Sequence, residues 1–382
     1  MKLQNKNILV IGGTGTIGTA LVKRLLTFKP NVVRIYSRDE YKQFVMREDL
    51  DNNGKIRFLL GDVRDKERLD RAMHGVDAVF DLAALKHVPA CEYDPFEAVK
   101  TNVLGSQNII ECAIGNKVER VIYTSSDKAV SPTNTMGATK LLAERLFSSA
   151  DYSKGSDIPV FASVRFGNVL DSRGSVIPLW QKQISANHFI TITEYEMTRF
   201  IMSINQAVEL ILKSYDIARG GEVFVLKMPV VKLCDLADAV IDMECKKTGL
   251  APDAIEIKKT GLRPGEKMYE ELMTAQESSY AIEYQDMFAI LPQHRLDLIK
   301  TDGLKCAAVG EYSSATEEVL SKEEINRILW DIKPSHMFTN CLKKPSKHMH
   351  TGIIIQARTN STRLPGKILK PLPYNSDRKS VV

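Results

Sequence analysis

Cysteine is scarce in this chain and never paired. Among 382 residues there are six, Cys91, Cys112, Cys234, Cys245, Cys306 and Cys341, with no C-x-x-C spacing. That argues against a zinc knuckle or a disulfide framework, gives no reason to expect a metal, and fits a reducing cytoplasm. No apolar run reaches the ~20 residues needed to cross a bilayer, and the opening MKLQNKNILVIGG enters an apolar run with no leader pattern ahead of it. The expectation is a soluble, cytoplasmic protein with no membrane partner. Charge of one sign is also scarce. The 52 Lys and Arg residues against 47 Asp and Glu leave +5, dispersed, with none of the aromatic-interleaved basic stripes of a nucleic-acid binder. A mild positive excess suits a small anionic ligand instead. No internal repeat is visible.

What the sequence does contain is enough apolar residue, 44%, for a sizeable core, and enough length for two lobes. Short apolar runs alternate with helical patterns through the first half. The runs are Asn7–Ile11, Val32–Tyr36, Ile56–Leu60, Ala78–Leu82, Val121–Ser125 and Val160–Arg165, with helix-like stretches such as Ile17–Phe28, Lys66–His74 and Pro95–Ile114 between them. Continuous apolar strands separated by helices predict βαβ units and a Rossmann-like, doubly wound parallel sheet of the α/β class. The rhythm loosens after about Arg165. Ser175–Asn187, Asn205–Ala218, Val223–Leu226 and Leu233–Lys247 are expected to form a smaller α/β substrate-binding lobe over the strand ends, mostly within 166–340.

The first loop reads Gly12-Gly13-Thr14-Gly15-Thr16-Ile17-Gly18. Gly13, Gly15 and Gly18 satisfy G-x-G-x-x-G between a strand and a helix. There the glycines allow a tight turn and close approach to a pyrophosphate, and the helix N-terminus offers unpaired N–H groups. The second strand ends in Tyr36-Ser37-Arg38-Asp39. Ser37 and Arg38 suit a 2′-phosphate, the arginine by its planar fork, which favours NADP; Asp39 keeps NAD open. Asp62 and Val63 after the third strand are expected near the adenine, although a lone Asp there serves equally well as a strand-end cap. Ala83 and Ala84 after the fourth strand leave room for the cofactor against the backbone.

After the fifth strand comes Ser125-Ser126-Asp127-Lys128, then a loop, then Met136-Gly137-Ala138-Thr139-Lys140. Hydroxyls, an acid and amines thus gather at the carboxyl end of a strand, with Met136 and Lys140 one helical turn apart. The spacing resembles the YxxxK pair of extended short-chain dehydrogenases, with Met136 in the tyrosine's place. SSDKAVSPTNTMGATK, SRDEYKQ, AALKHVPACEYDPFEAVKTNVLGSQNII, VRFGNVLDSRGSVIP, MTRFIMSINQAVELI, GGEVFVLKMP and GLRPGEKMYEEL together resemble the soluble UDP-N-acetylglucosamine 4,6-dehydratases of capsule and flagellin sugars, over roughly residues 1–340.

That resemblance implies a nucleotide-sugar substrate and a redox-neutral 4,6-dehydration with NADP, in a homo-oligomer. It implies Lys128 as the base at carbon 5; a lysine in a partly dry site near other cations is expected to have its pKa lowered toward neutrality. Asp127 would be the acid for the leaving hydroxyl, Lys140 the ligand of the nicotinamide ribose, and Ser125, Ser126 or a water a relay at carbon 4. A thioether transfers no proton, so Met136 leaves the carbon 4 base unassigned. Lys86 and His87 are expected at the sugar, Asn168 and Ser175 at the diphosphate–nucleoside region, Arg199 and Arg263 on the diphosphate, and Glu266 on the ribose hydroxyls. A 4-epimerase or reductase, or a non-catalytic NADP sensor, is the alternative.

Composition shifts again at the C-terminal end. Within 346–382, after a linker, GIIIQARTNSTRLPGK resembles the opening loop of sugar-acid cytidylyltransferases. The match is far shorter than the ~50 residues of a small domain. It is expected to be a truncated fragment without transferase activity.

Overall fold

The apolar runs are buried on both faces because alternate residues feed separate cores. In β1 (Asn7–Ile11), Ile8 and Val10 pack under α1 (Thr16–Leu26), while Leu9 and Ile11 join the opposite layer. The computed structural model describes residues 2–50, 53–172, 174–293 and 305–331. All of them belong to one unit, Met1–Lys333. The expected cytidylyltransferase-like fragment lies outside the described residues.

β2 (Val32–Ser37), α2 (Glu40–Asp49), β3 (Ile56–Leu60), α3 (Lys66–Met73) and β4 (Ala78–Asp81) follow. β2 and β3 lie on one side of β1, and β4 returns to its other side. This reversal of strand order leaves a crevice at the carboxyl ends, the usual ligand site of such sheets. The chain continues through α4 (Val88–Tyr93), α5 (Pro95–Ala98), a π-helical stretch at Val99–Leu104, α6 (Gly105–Gly115), β5 (Arg120–Thr124), α7 (Thr135–Ser153) and β6 (Val160–Arg165). The single helix expected over Pro95–Ile114 is therefore interrupted. Wide π turns of this kind often mark functional sites, and this one faces the crevice.

Beyond β6 the chain forms β7 (Asn168–Val169), α8 (Val176–Asn187), β8 (Phe189–Ile192), β9 (Thr198–Met202), α9 (Ile204–Ile217), β10 (Val223–Leu226), β11 (Val230–Lys232), α10 (Leu233–Thr248) and β12 (Glu256–Lys259). β13 (Glu271–Met273), α11 (Ala275–Ser278), β14 (Ala281–Glu283), β15 (Met287–Ile290), β16 (Lys305–Cys306), β17 (Tyr312–Ser313) and α12 (Lys322–Asp331) complete it. β7, β9 and β11 make a small sheet, and β8 pairs with β12. With α8, α10 and α12 they enclose a third apolar core around Trp180, whose indole N–H donates to the Thr191 carbonyl at 2.7 Å.

Val223–Leu226, expected in the smaller lobe, instead pairs parallel to β6 in the central sheet. All four residues are buried, the signature of an inner parallel strand. Likewise the helix expected at Asn205–Ala218 packs on α1 beneath that sheet. β15, β14 and β16 then extend the sheet antiparallel, giving ten strands in the order β16-β14-β15-β10-β6-β5-β4-β1-β2-β3.

One buried ion cluster ties these layers together. Arg165 at the end of β6 is 1% exposed and donates to Glu144 of α7 at 3.0 and 2.6 Å and to Glu277 of α11 at 3.1 Å. Removing one partner of such a cluster typically costs about 3–5 kcal/mol, because the charges left behind stay buried.

Candidate active site

The glycine turn is shaped by backbone contacts that exclude a side chain. Gly12 has φ +73°, and a Cβ there would lie 2.9 Å from Leu82 and Ala83 backbone atoms. Gly18 faces the Gly12 carbonyl across the turn, where a Cβ would lie at 2.6 Å. Gly15 begins α1 with no side-chain cap, so the first N–H groups of the helix are left for an anion. Gly12, Thr14, Gly15, Thr16, Ile17 and Gly18 line a cavity of about 950 Å³. Gly13 does not line it. Its missing Cβ makes room for the Ile35 side chain, 2.9 Å away, so this glycine serves packing of the turn onto β2.

The same cavity runs past Ser37, Arg38, Asp62, Val63, Ala83 and Ala84. Asp39, the residue that left NAD open, accepts from the Lys42 N–H at 3.0 Å as the N-cap of α2 and pairs with the Lys42 ammonium at 2.6 Å. The half-exposed Arg38 and Lys42 therefore stand at the strand end as cations. Asp62 pairs with Arg64 at 2.7 Å and Arg38 at 3.4 Å. Burial pushes its carboxyl upward, but the hydrogen bonds of Arg64 and the charge of Arg38 outweigh that and hold it below the usual range. Three buried hydroxyls of residues lining the cavity have no hydrogen-bond partner among the described residues, Ser125 Oγ, Ser175 Oγ and, from the π stretch, Thr101 Oγ1. Orphaned hydroxyls are costly unless a ligand engages them. Together with the uncapped helix they fit a nicotinamide dinucleotide.

Farther along, Ser126, Asp127, Lys128, Met136 and Lys140 line the cavity with Lys86, His87, Asn168 and Ser175. Asp127 and Lys128 occupy a short 3-10 turn after β5 that lies against the start of α7. Gly137 makes this possible, since a Cβ there would be 2.1 Å from the Lys128 carbonyl. Asp127 Oδ1 accepts from Ser126 Oγ at 2.6 Å and from Lys128 Nζ at 3.1 Å. Lys128 also meets Glu270 Oε1 at 3.3 Å, a partner not foreseen from sequence. The segment Leu262–Glu271 that carries it is clipped onto the loop before α7: the Gly265 carbonyl accepts from Thr133 Oγ1 at 2.8 Å and Asn134 Nδ2 at 3.0 Å, and Lys267 donates to the Val130 carbonyl at 3.1 Å.

The lowered pKa expected of Lys128 is not found. Burial favours the neutral amine, but Asp127 and Glu270 together outweigh both burial and Arg199, and hold the ammonium above its ordinary value. The lysine that does shift toward neutrality is Lys140. Burial pulls it to about 8 against the opposing pull of Asp81 and Glu144, and its ammonium donates to the Thr124 carbonyl at 2.9 Å. Met136 is 3% exposed and packs on Cys91 and Ala98.

An adjoining cavity of about 280 Å³ shares Asn168 and Ser175 with the first and is lined by Arg199, Arg263 and Glu266. Arg199 is largely engaged, donating to the carbonyls of Thr198 at 2.7 Å, Lys267 at 2.9 Å and Met268 at 3.2 Å. The guanidinium of Arg263 has no partner among the described residues, while its backbone N–H donates to Glu266 at 3.2 Å. Glu266 is thus turned partly onto its own loop. Ser175 begins α8 with a buried Oγ that has no partner among the described residues. Every predicted site residue except Gly13 lines one of the two cavities. Lys42, Thr101, Gly137 and Glu270 were not singled out, although each lies inside a segment that carries the resemblance.

The family model described as polysaccharide biosynthesis protein matches residues 8–292. A UDP-N-acetylglucosamine 4,6-dehydratase (inverting) of Campylobacter jejuni is 41% identical over 85% of this chain and 94% of its own. A UDP-glucose 4-epimerase of Rickettsia conorii is also 41% identical, over 85% and 95%. A Methanocaldococcus jannaschii protein named as an uncharacterized membrane protein is 51% identical over 86% and 96%, yet no helix among the described residues here is long and apolar enough to cross a membrane. The X-ray structure of Pen from Bacillus thuringiensis superposes with TM-score 0.82 at 50% identity, covering 87% of this chain and 98% of that one. By sequence, by fold and by the order of its site segments, the chain belongs to the polysaccharide biosynthesis protein family.

Proposed function

We propose that the protein is an NADP-dependent 4,6-dehydratase of a nucleotide-activated N-acetylglucosamine, with UDP as the carrier, working in the cytoplasm as a homo-oligomer. The observation that carries this reading is the continuous cleft from the glycine turn to the Asp127–Lys128 pair, beside a second cavity with an unpartnered arginine. The glycine turn, Ser37, Arg38 and Lys140 would hold the dinucleotide, which supplies reversible hydride transfer. Arg263, Asn168 and the start of α8 would receive the diphosphate.

Dehydration needs a base at carbon 5 and an acid at the carbon 6 oxygen. The resting ion pair of Asp127 and Lys128 holds one proton between them, across 3.1 Å. Moving that proton to the carboxylate yields a free amine and a carboxylic acid together. The amine then takes the carbon 5 proton as that C–H bond breaks. The acid protonates the carbon 6 hydroxyl, which leaves as water, and the ion pair is restored. The 4-epimerase relatives favour a second reading, but a buried thioether stands at the tyrosine position here, and no phenol lines this end of the cavity. Incubation with UDP-N-acetylglucosamine in deuterated water, followed by NMR of the product, decides between them. A 4-keto-6-deoxy product with exchange at carbon 5 is expected, whereas a 4-epimer with an intact carbon 6 hydroxyl would refute dehydration.

A further inference from the structure

Glu270 is used by neither cavity. It lines neither of them, it is 3% exposed, and its carboxylate lies 3.3 Å from Lys128 Nζ. Its place is imposed by the backbone, because its N–H donates to Ser314 Oγ at 2.9 Å and its carbonyl accepts from the Ser314 N–H at 2.9 Å. The Lys128 side chain is a quarter exposed to the cavity, so the carboxylate grips an amine whose other side is open to a ligand. Among the described residues, the other charged groups acting on Glu270 and Lys128 are Asp127 and Arg199, the latter 3.9 Å from Glu270.

We infer that Glu270 is a positioning residue for the base: it holds the Lys128 ammonium from beneath and sets how strongly that amine binds a proton. This deepens the proposed dehydration and rests on it for its chemical part. Asp127 can exchange a proton with Lys128, but once Asp127 has protonated the leaving hydroxyl it must itself be the anion that balances the new ammonium. Glu270 keeps a second negative charge against Nζ throughout, so the amine is a strong base at the moment the carbon 5 hydrogen is taken. Burial, with the charge of Asp127, outweighs the pull of Lys128 and Arg199 and holds the Glu270 carboxyl above its ordinary value. While Lys128 is the free amine, the cation that still faces this carboxylate is Arg199, at 3.9 Å.

The test compares the parent full-length protein with Glu270→Gln, which keeps shape and removes charge, and Glu270→Asp, which keeps charge one methylene shorter. The first readout needs no substrate. Lys128 is trace-acetylated across pH, and the peptide carrying it is quantified by mass spectrometry. Loss of an adjacent opposite charge shifts a pKa by about 1–3 units, so the profile in Glu270→Gln is expected to move to lower pH by at least about one unit, with Glu270→Asp between. An unchanged profile overturns the inference. The second readout is deuterium entry at carbon 5 during turnover, expected to fall about 100-fold in Glu270→Gln, the lower end for general-base effects, with partial recovery in Glu270→Asp. Exchange within about threefold of the parent also overturns it. If the parent protein forms no 4-keto-6-deoxy product, the functional reading fails, while the acetylation profiles still decide what Glu270 does to Lys128.

Discussion

Replacing Arg38 by Ala should separate the two nicotinamide cofactors. Its side chain is 51% exposed, and its one ion pair among the described residues, to Asp62, is long at 3.4 Å. Asp62 keeps Arg64 at 2.7 Å when Arg38 is gone, so the turn should survive the change. What is removed is a guanidinium at the end of β2, beside Ser37. A hydrogen bond to a charged group contributes about 1.5–3 kcal/mol. Exposure on this scale screens the interaction, so the lower part of that range applies. A loss of about 1.5–2 kcal/mol corresponds to roughly 10- to 30-fold in affinity. Isothermal titration of NADP and NAD against both proteins measures it. NADP should weaken by about that factor while NAD changes less than about threefold. Equal weakening of both, or of neither, refutes the assignment of Arg38 to a 2′-phosphate.

The glycine turn and the buried lysine give two further predictions. Gly18→Ala would place a Cβ 2.6–2.8 Å from Gly12 and Gly13 backbone atoms. It should lower stability by about 1–3 kcal/mol and abolish dinucleotide binding, whereas Gly15→Ala, whose nearest neighbour would be 3.1 Å away, should lose binding with little change in Tm; calorimetry of the two variants checks both. Lys140 falls from 10.5 to about 8 in the fold because burial disfavours its charge. Between those values the unfolded chain holds the extra proton, so raising pH from 8 to 10.5 stabilises the fold, by up to about 3 kcal/mol, and lowering pH through 8 removes that contribution. Urea unfolding at a series of pH values should show this rise in the parent and a flatter profile in Lys140→Met; parallel profiles would contradict the burial argument.

Much of the cofactor half was legible because its strands lie inside a parallel sheet. Asn7–Ile11, Ile56–Leu60 and Val160–Arg165 are bounded in the structure as their apolar runs predict, since strands buried on both faces cannot hide among polar residues. Val223–Leu226 reads the same way locally. Its return to the sheet after 57 intervening residues (166–222) is a tertiary fact with no local mark. Lys128 was read against its sequence neighbours, which supply one carboxylate. The second, Glu270, stands 142 positions away and is brought there by the clip between Gly265 and the Thr133–Asn134 loop. In KMYEEL nothing marks Glu270 over Glu271, which meets Lys267 instead. Gly13 lies outside the cavity lining, facing Ile35 of β2, and the fingerprint does not distinguish a glycine that faces a ligand from one that faces the neighbouring strand.

The buried fork of Arg165 has a consequence for how such a site can change over evolutionary time. It fastens α7 through Glu144, one turn beyond Lys140 on the same helix face. The lysine's placement thus depends on an anchor that makes no use of position 136. A chain built this way is free to exchange the group at that position, phenol for thioether, without disturbing the ammonium that follows it. One scaffold can therefore try different proton chemistry on a sugar while its grip on the dinucleotide stays the same.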